Sequence, residues 1–259
     1  MSNILISVNH VSKRYGKSEH DELILNDISF NVKKGEVVAL LGKSGCGKST
    51  LLNLIGGFEP ITKGDIKLDG EAIRKPSKRC IMLMQNYGLL PWRSVLKNVE
   101  FALENINISK EERREKAIHY LTMVGLENRI NVLPSELSGG MQQRVAIARA
   151  LAIQPEVILM DEPFAALDTF TRYYLQQELL NIQMKEKTTI ILVTHDIDEA
   201  IFLADRVLIL NANPGRIHKA IDIKLMKPRD RSSADFQHYR ELIFKEFEFT
   251  NQVEIEYSI

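Results

Sequence analysis

Eight consecutive residues, Gly42-Lys43-Ser44-Gly45-Cys46-Gly47-Lys48-Ser49, fit the spacing G-x-x-x-x-G-K-[ST], which suits the phosphates of a nucleotide. The reason is steric and electrostatic. Glycines let backbone N–H groups turn inward around an anion without Cβ obstruction, and a following helix points its positive end at the same place. Lys48 then reaches the β and γ phosphates, Ser49 ligates Mg2+, and Thr50 carries the segment into the helix. The flanks agree: Val37 to Leu41 reads as a buried strand, and Thr50 to Ile55 as an apolar helical segment. A glycine-rich turn with a solvated lysine would not carry all three features. Cys46 occupies a free loop position with no acyl substrate in view, so it is expected to be a small filler. Its closeness to a helix N-terminus could still lower its thiol pKa and leave it open to alkylation.

A second group of residues completes the chemistry. Asp161 and Glu162 close the apolar run Val157 to Met160, and ligands gather at the carboxyl ends of strands in open α/β sheets. Adjacent acids there need a cation: Asp161 is suited to hold Mg2+ through a water, and Glu162 to orient or deprotonate an attacking water. Without the phosphate loop the pair would read as an ordinary solvated strand end. Thr194-His195-Asp196 follows the apolar run Thr189 to Val193 onto the same sheet edge, where His195 can hydrogen-bond a γ phosphate and the lytic water. A Ser/His/Asp hydrolase built on Ser49, His195 and Asp161 fails, because Ser49 follows a phosphate-loop lysine and no G-x-S-x-G elbow exists.

These residues need a sheet to hold them. Strand signals occur at Ile4 to Val8, Ile28 to Val32, Val37 to Leu41, Ile66 to Leu68, Ile81 to Met84, Val157 to Met160, Thr189 to Val193 and Val207 to Leu210. Runs that are apolar throughout predict parallel strands covered on both faces, whereas early polar alternation and the Asp69-Gly70 turn predict antiparallel pairing. Between Val95 and Leu151 helix signals take over. One helix there is delimited by the Ser109/Glu112 capping box, the stripe Ala117, Leu121 and Val124, and Gly125 at its end. A long helix is predicted over 169–185. After Asn213-Pro214-Gly215 come a strand near Ile217 to Ile223 and a polar stretch, Lys227 to Ser233. Phe236, Tyr239, Ile243 and Phe247 then follow at helical spacing, expected as packing or docking surface. The Pro228-Arg229-Asp230-Arg231 run is expected to be a solvated turn, with contact to a regulator or an opposite subunit as the alternative.

Composition narrows the partners. The 259 residues set 34 Lys plus Arg against 34 Asp plus Glu, so bulk electrostatics gives a nucleic-acid partner no help. A 44% hydrophobic and 26% charged chain is neither disordered nor fibrous. Cys46 and Cys80 form no disulfide framework and no metal spacing, which suits a reducing cytoplasm. The first ten residues show no secretory leader pattern, and no apolar run approaches the ~18–20 residues needed to span a bilayer. Work at a membrane would need another subunit to cross it.

Leu137-Ser138-Gly139-Gly140-Met141-Gln142-Gln143-Arg144 has the form of a signature motif, and the chain from Tyr15 to beyond His195 strongly resembles an ATP-binding cassette (ABC) transporter subunit. The resemblance implies an α/β fold: a P-loop NTPase (RecA-like) core with a mixed sheet, an N-terminal antiparallel β subdomain and an inserted α-helical subdomain. The ATPase domain is expected over 1–225, with the helical insertion at about 90–155, and a helical tail over 226–259. By resemblance Tyr15 stacks on adenine, Gln85 is the Q-loop glutamine that also faces Mg2+, Asp168 is the D-loop aspartate and His195 is the switch histidine. Ser138, Gly139 and Gly140 are implied to close on ATP held by a second copy, giving a head-to-tail dimer. Ala165 and Lys43 depart from residues common in the family, and neither touches a catalytic role.

By the same resemblance the segment from Gln85 to Trp92 is implied to line the groove for a permease's coupling helix, and Trp92 reads equally as groove contact or core packing. Leu89 to Phe101, with Lys227 to Arg231, is similar to nitrate/sulfonate/taurine-type importer ATPases, which include subunits serving pyrimidine thiamine precursors. The expected partners are a second copy, transmembrane permease subunits and, indirectly, a solute-binding protein, at the cytoplasmic face of the membrane. The expected cofactors are ATP and Mg2+. A soluble cassette acting on nucleic acid or ribosomes, and an exporter ATPase, are the competing classes. A single cassette without sustained heptads speaks against the soluble class.

Overall fold

The computed structural model describes residues 4–16, 22–84, 87–165 and 167–256. Two units divide the chain, Met1–Pro76 with Thr189–Ile259, and Ser77–Thr188. The first opens on two long antiparallel strands, β1 (Ile4–Arg14) and β2 (Leu23–Lys33). In β2, Leu25, Ile28 and Val32 are buried while Asp27, Ser29, Asn31 and Lys33 face solvent, the signature of a sheet wet on one side. All six residues of β3 (Val37–Gly42) are buried, and after the phosphate loop comes α1 (Lys48–Ile55). Strand β4 (Lys63–Leu68) pairs antiparallel with β1. Asp69 and Gly70, at φ +50° and +79°, then turn the chain into β5 (Glu71–Ala72). Two successive left-handed residues are what a tight hairpin turn needs, and Asp-Gly supplies them cheaply.

The second unit is mostly helical. Strand β6 (Cys80–Leu83) is followed by α2 (Val95–Leu103), α3 (Lys110–Met123) and α4 (Gly139–Ala152), then by β7 (Val157–Asp161) and α5 (Thr169–Glu186). Strands β6 and β7 pair in parallel, with α2, α3 and α4 packed on one another. The Ser109/Glu112 capping box closes in both directions, at 3.1 and 2.8 Å, and Gly125 adopts φ +68° just past α3. One polar side chain organises the entry to α2. Asn98 is fully buried; its Oδ1 accepts from the Leu90 amide at 2.7 Å and its Nδ2 donates to the Leu90, Arg93 and Ser94 carbonyls. A buried amide with every group paired pins the 90–94 turn.

The chain returns to the first unit with β8 (Thr189–Thr194), α6 (Ile197–Leu203), β9 (Arg206–Asn211), β10 (Arg216–Asp222) and α7 (Ala234–Glu256). Strands β8 and β9 flank β3 in parallel and β10 joins β9 antiparallel, so the sheet is mixed. Phe236 and Ile243 are fully buried, so that stripe is packing surface. The expected solvated turn at Pro228 to Arg231 is corrected. Arg229 is only 6% exposed, because main-chain carbonyls surround its guanidinium. No helix among the described residues is long and apolar enough to cross a membrane.

Candidate functional site

In the first unit the loop between β3 and α1 is a cradle that depends on glycine. Gly45 and Gly47 sit at φ +83° and +90°, where a side chain would be unfavourable. A Cβ on Gly42 would lie 2.7 Å from Cys46 Sγ and 2.9 Å from the Leu210 carbonyl, so backbone crowding excludes one there too. Around Gly45 a Cβ would meet nothing within 4 Å among the described residues, and Lys43, Ser44, Gly45 and Ser49 are exposed, which leaves the mouth of the loop open. Helix α1 has no side-chain cap and no acid in its first turn, so its first amides and positive end are uncompensated by its own sequence.

Lys48 is 5% exposed, and its Nζ donates to the Gly42 and Lys43 carbonyls at 2.7 and 2.8 Å. The ammonium is thereby held at the start of the loop. A buried cation, inward-turned glycines and an open mouth fit a nucleotide's phosphates. Among the described residues no group of three or more His, Cys, Asp or Glu side chains could cage a cation. A metal here would depend on Ser49, one carboxylate and phosphate oxygens, the donor set Mg2+ prefers.

Burial decides Cys46. The residue is 1% exposed, and burial pushes its thiol pKa up against the pull of the Lys48 ammonium. The expected alkylation sensitivity is therefore corrected: loss of hydration outweighs the helix end. Burial likewise pushes Cys80 up to about 12. Both thiols are expected to resist a neutral-pH alkylating reagent in the folded protein and to label fully after denaturation, as read by mass spectrometry. Rapid native labelling of Cys46 would contradict its burial.

Tyr15 keeps 45% of its surface exposed while its hydroxyl donates to Glu59 Oε2 at 2.6 Å. Lys13 Nζ lies 4.7 Å from the centre of the Tyr15 ring and 3.2 Å from Glu59 Oε2. A phenol held at its tip and capped on one face by a cation leaves the other face for a base. Lys13 and Glu59 were not legible as site residues. Lys13 had a weak signal: it lies near the end of β1, two residues before Tyr15, which follows the strand. Glu59 had none.

His195 is exposed directly after β8. Leu41 of β3 is in register with Thr194 of β8, so the phosphate loop and His195 leave the same edge of adjacent parallel strands. Asp196 then caps α6, accepting from the Glu199 amide at 3.0 Å.

In the second unit β7 ends on half-buried Asp161, and Glu162 follows at φ +44°. Gln143 of α4 donates to the Pro163 carbonyl at 2.6 Å, tying the turn after Glu162 to the signature helix. Ser138 caps α4, its Oγ accepting from the Met141 amide at 3.3 Å, which leaves its O–H able to donate. Ser138 and Gly139 are exposed and Gly140 is buried. A cleft of about 300 Å3 beside them is lined by Arg144, Phe170 and Tyr174 among others. Asp168 caps α5 by accepting from the Thr171 amide at 3.0 Å, and that bond holds its carboxyl below the usual range. Gln85 lies outside the described residues. Beyond it, Arg149 donates to the Tyr87 and Gly88 carbonyls at 2.8 and 2.6 Å and anchors the segment that follows.

Trp92 is 74% exposed, which excludes core packing. Met84 and Phe101 are also exposed, and a groove of about 210 Å3 runs between Ile81, Leu83, Phe101 and Arg149.

The family model described as "ABC transporter" matches residues 25–165. The chain is 45% identical to the aliphatic sulfonates import ATP-binding protein SsuB of Bacillus cereus, over 94% of this chain and 96% of that protein. It is 44% identical to the nitrate import ATP-binding protein NrtD of Synechococcus elongatus, over 86% of this chain and 82% of the relative. Among solved structures it is similar to a dimeric ATP-binding cassette in a post-hydrolysis state bound to ADP and Pi. That similarity has a TM-score of 0.74 at 34% identity and covers 86% of this chain and 100% of the other.

Proposed function

This chain belongs to the ABC transporter family as an ATP-hydrolysing cassette, and from that premise we propose that two copies, arranged head to tail, drive a separate permease for solute uptake. The observation that carries the reading is Gly139 together with Ser138. Both are exposed at the N-terminus of α4, and among the described residues a Cβ on Gly139 would meet Tyr87 Oη at 3.7 Å and Leu167 Cδ2 at 3.8 Å. Those are ordinary contacts, so nothing among the described residues requires glycine there. A bare amide at a helix N-terminus fits an anion, and the chain already has its own phosphate loop. The natural occupant is the γ phosphate held by a second copy.

Each residue then has a task. The loop amides from Gly42 to Thr50, with Lys48, hold the phosphates, and Tyr15 stacks on the base. Ser49, Asp161 and Gln85 hold Mg2+, which supplies charge neutralisation on the β and γ phosphates. Glu162 orients the lytic water and takes its proton, and His195 donates to the γ phosphate. Asp168, besides capping α5, faces the neighbouring copy. The groove lined by Phe101 and Arg149, together with exposed Trp92 and Met84, receives a helix of the permease at the cytoplasmic face of the membrane. Import is favoured over export or a soluble role by relatives named for sulfonate and nitrate import. A small oxyanion or sulfonate is the cargo class.

The test is co-purification followed by reconstitution with the permease and its solute-binding protein. MgATP turnover should rise when the binding protein carries a sulfonate, taurine, nitrate or a pyrimidine, and Trp92→Ala should weaken permease association about tenfold or more. Salt-sensitive nucleic-acid retention without any permease would replace this reading with the soluble class.

A further inference from the structure

Helix α6 has seven residues and begins, through its Asp196 cap, one residue after His195. Helices this short do not hold themselves. What grips α6 therefore decides where the turn bearing His195 sits; β3 and β8 pack one side of it, and the segment after β10 holds its polar ends.

Arg229 is the centre of it. Its Nη1 donates to the carbonyls of Ile201, in the last turn of α6, and of Ala204, its C-cap, the latter at 2.6 Å. Its Nη2 reaches the Ile223 carbonyl at 3.3 Å and its Nε the Leu225 carbonyl at 3.2 Å. The last carbonyls of a helix have no intrahelical partner, and a cation there also meets the negative end of the dipole. Burial lowers the Arg229 pKa to about 10, which leaves it protonated at neutral pH.

Two further contacts act on the same helix, and a third lies one residue past its C-cap. The Arg231 guanidinium lies 3.7 Å from the centre of the Phe202 ring. Arg240 of α7 pairs with Asp198, in the first turn of α6, at 3.1 Å. Lys227 pairs at 2.7 Å with Asp205, whose carboxylate also accepts from the Val37 amide at the start of β3. A buried guanidinium is a costly way to fill space, since an apolar side chain would pack as well without desolvation. Its four carbonyl partners define an orientation that apolar packing would not.

We propose that the segment 225–240 is a positioning device for His195, with Arg229 as its principal positioning residue. It fixes both ends of α6, and the Asp196 cap with the Asp196 amide bond to Thr194 Oγ1 passes that placement to the histidine turn. The proposal rests on the assignment of His195 to the γ phosphate.

The experiment compares full-length Arg229→Gln, Arg229→Lys, Arg240→Ala and His195→Ala, reading kcat and KM for MgATP together with hydrogen exchange of the 195–203 amides. Arg229→Gln should lower kcat about tenfold, because small displacements of a catalytic group are expensive. KM should move by less than about twofold, because the phosphate loop is untouched. Amides of α6 should exchange about tenfold faster while those of α1 do not. Arg229→Lys should recover most of the loss, and adding Arg229→Gln to His195→Ala should cost little more. If Arg229→Gln does not fold, Arg240→Ala decides, with faster α6 exchange and lower kcat expected. Wild-type kcat in whichever variant folds, beside an inactive His195→Ala, overturns the positioning role alone. Wild-type turnover in His195→Ala overturns the histidine assignment and this proposal with it.

Discussion

Glu162→Gln is expected to lower kcat about 100- to 10 000-fold, the range a positioned general base supplies, while leaving ATP affinity within about twofold. Glutamine keeps the size of the side chain and the hydrogen bonds its oxygen can accept, and removes the ability to take a proton. Nucleotide-bound dimers should therefore accumulate, visible by gel filtration in MgATP; unchanged turnover would strip Glu162 of the role. The backbone adds a second handle. Glu162 sits at φ +44° immediately before Pro163, whose ring further restricts the preceding residue. Such a conformation costs a non-glycine residue on the order of 1 kcal/mol, and that cost is met by the surrounding structure. Glu162→Gly should consequently melt no lower than the parent and still be as inactive as the glutamine variant. A position where activity vanishes with no loss of stability is one kept for chemistry.

What could be read in the sequence follows the range of the interaction involved. The phosphate loop, the Ser109/Glu112 box and the Asp69-Gly70 turn are local, and the structure places each where the spacing predicts. Strands β3, β7 and β8 were legible because they are apolar nearly end to end, which only a doubly covered sheet position permits. Interactions between distant residues were not. Arg229 looked solvated because its partners, Ile201 and Ala204, lie more than 20 residues away, and nothing in a Pro-Arg-Asp-Arg run announces carbonyls waiting to receive it. Glu59 is 44 residues from the Tyr15 hydroxyl it accepts from. Cys46 shows two local rules in competition: a helix N-terminus lowers a thiol pKa, burial raises it, and the sequence carries only the first. The capping roles of Ser138 and Asp168 were local and available, each standing three residues before the amide it accepts from.

Gly139→Asp should separate what a glycine does for its own chain from what it does for a partner. A Cβ at Gly140 would lie 2.5 Å from Thr171 Cγ2, so a substitution there disturbs the packing of α4 on α5 and its consequences would be ambiguous. At Gly139 there is room, and the position is the first residue of α4, where a carboxylate is favoured by the helix dipole. The variant is therefore expected to fold with parental stability and to bind MgATP through its own phosphate loop. A fixed negative charge in front of the Ser138 hydroxyl would repel a γ phosphate arriving from a neighbouring copy. ATP-dependent dimers should disappear and turnover should fall about 100-fold or more, a loss on the scale of removing one oriented donor from a transition-state site. Adding Glu162→Gln should not restore the dimer, because the block lies in closure and not in hydrolysis. Parental turnover in a folded Gly139→Asp protein would mean that the exposed serine and glycine face no phosphate, and the paired-copy motor would give way to a cassette that hydrolyses ATP alone.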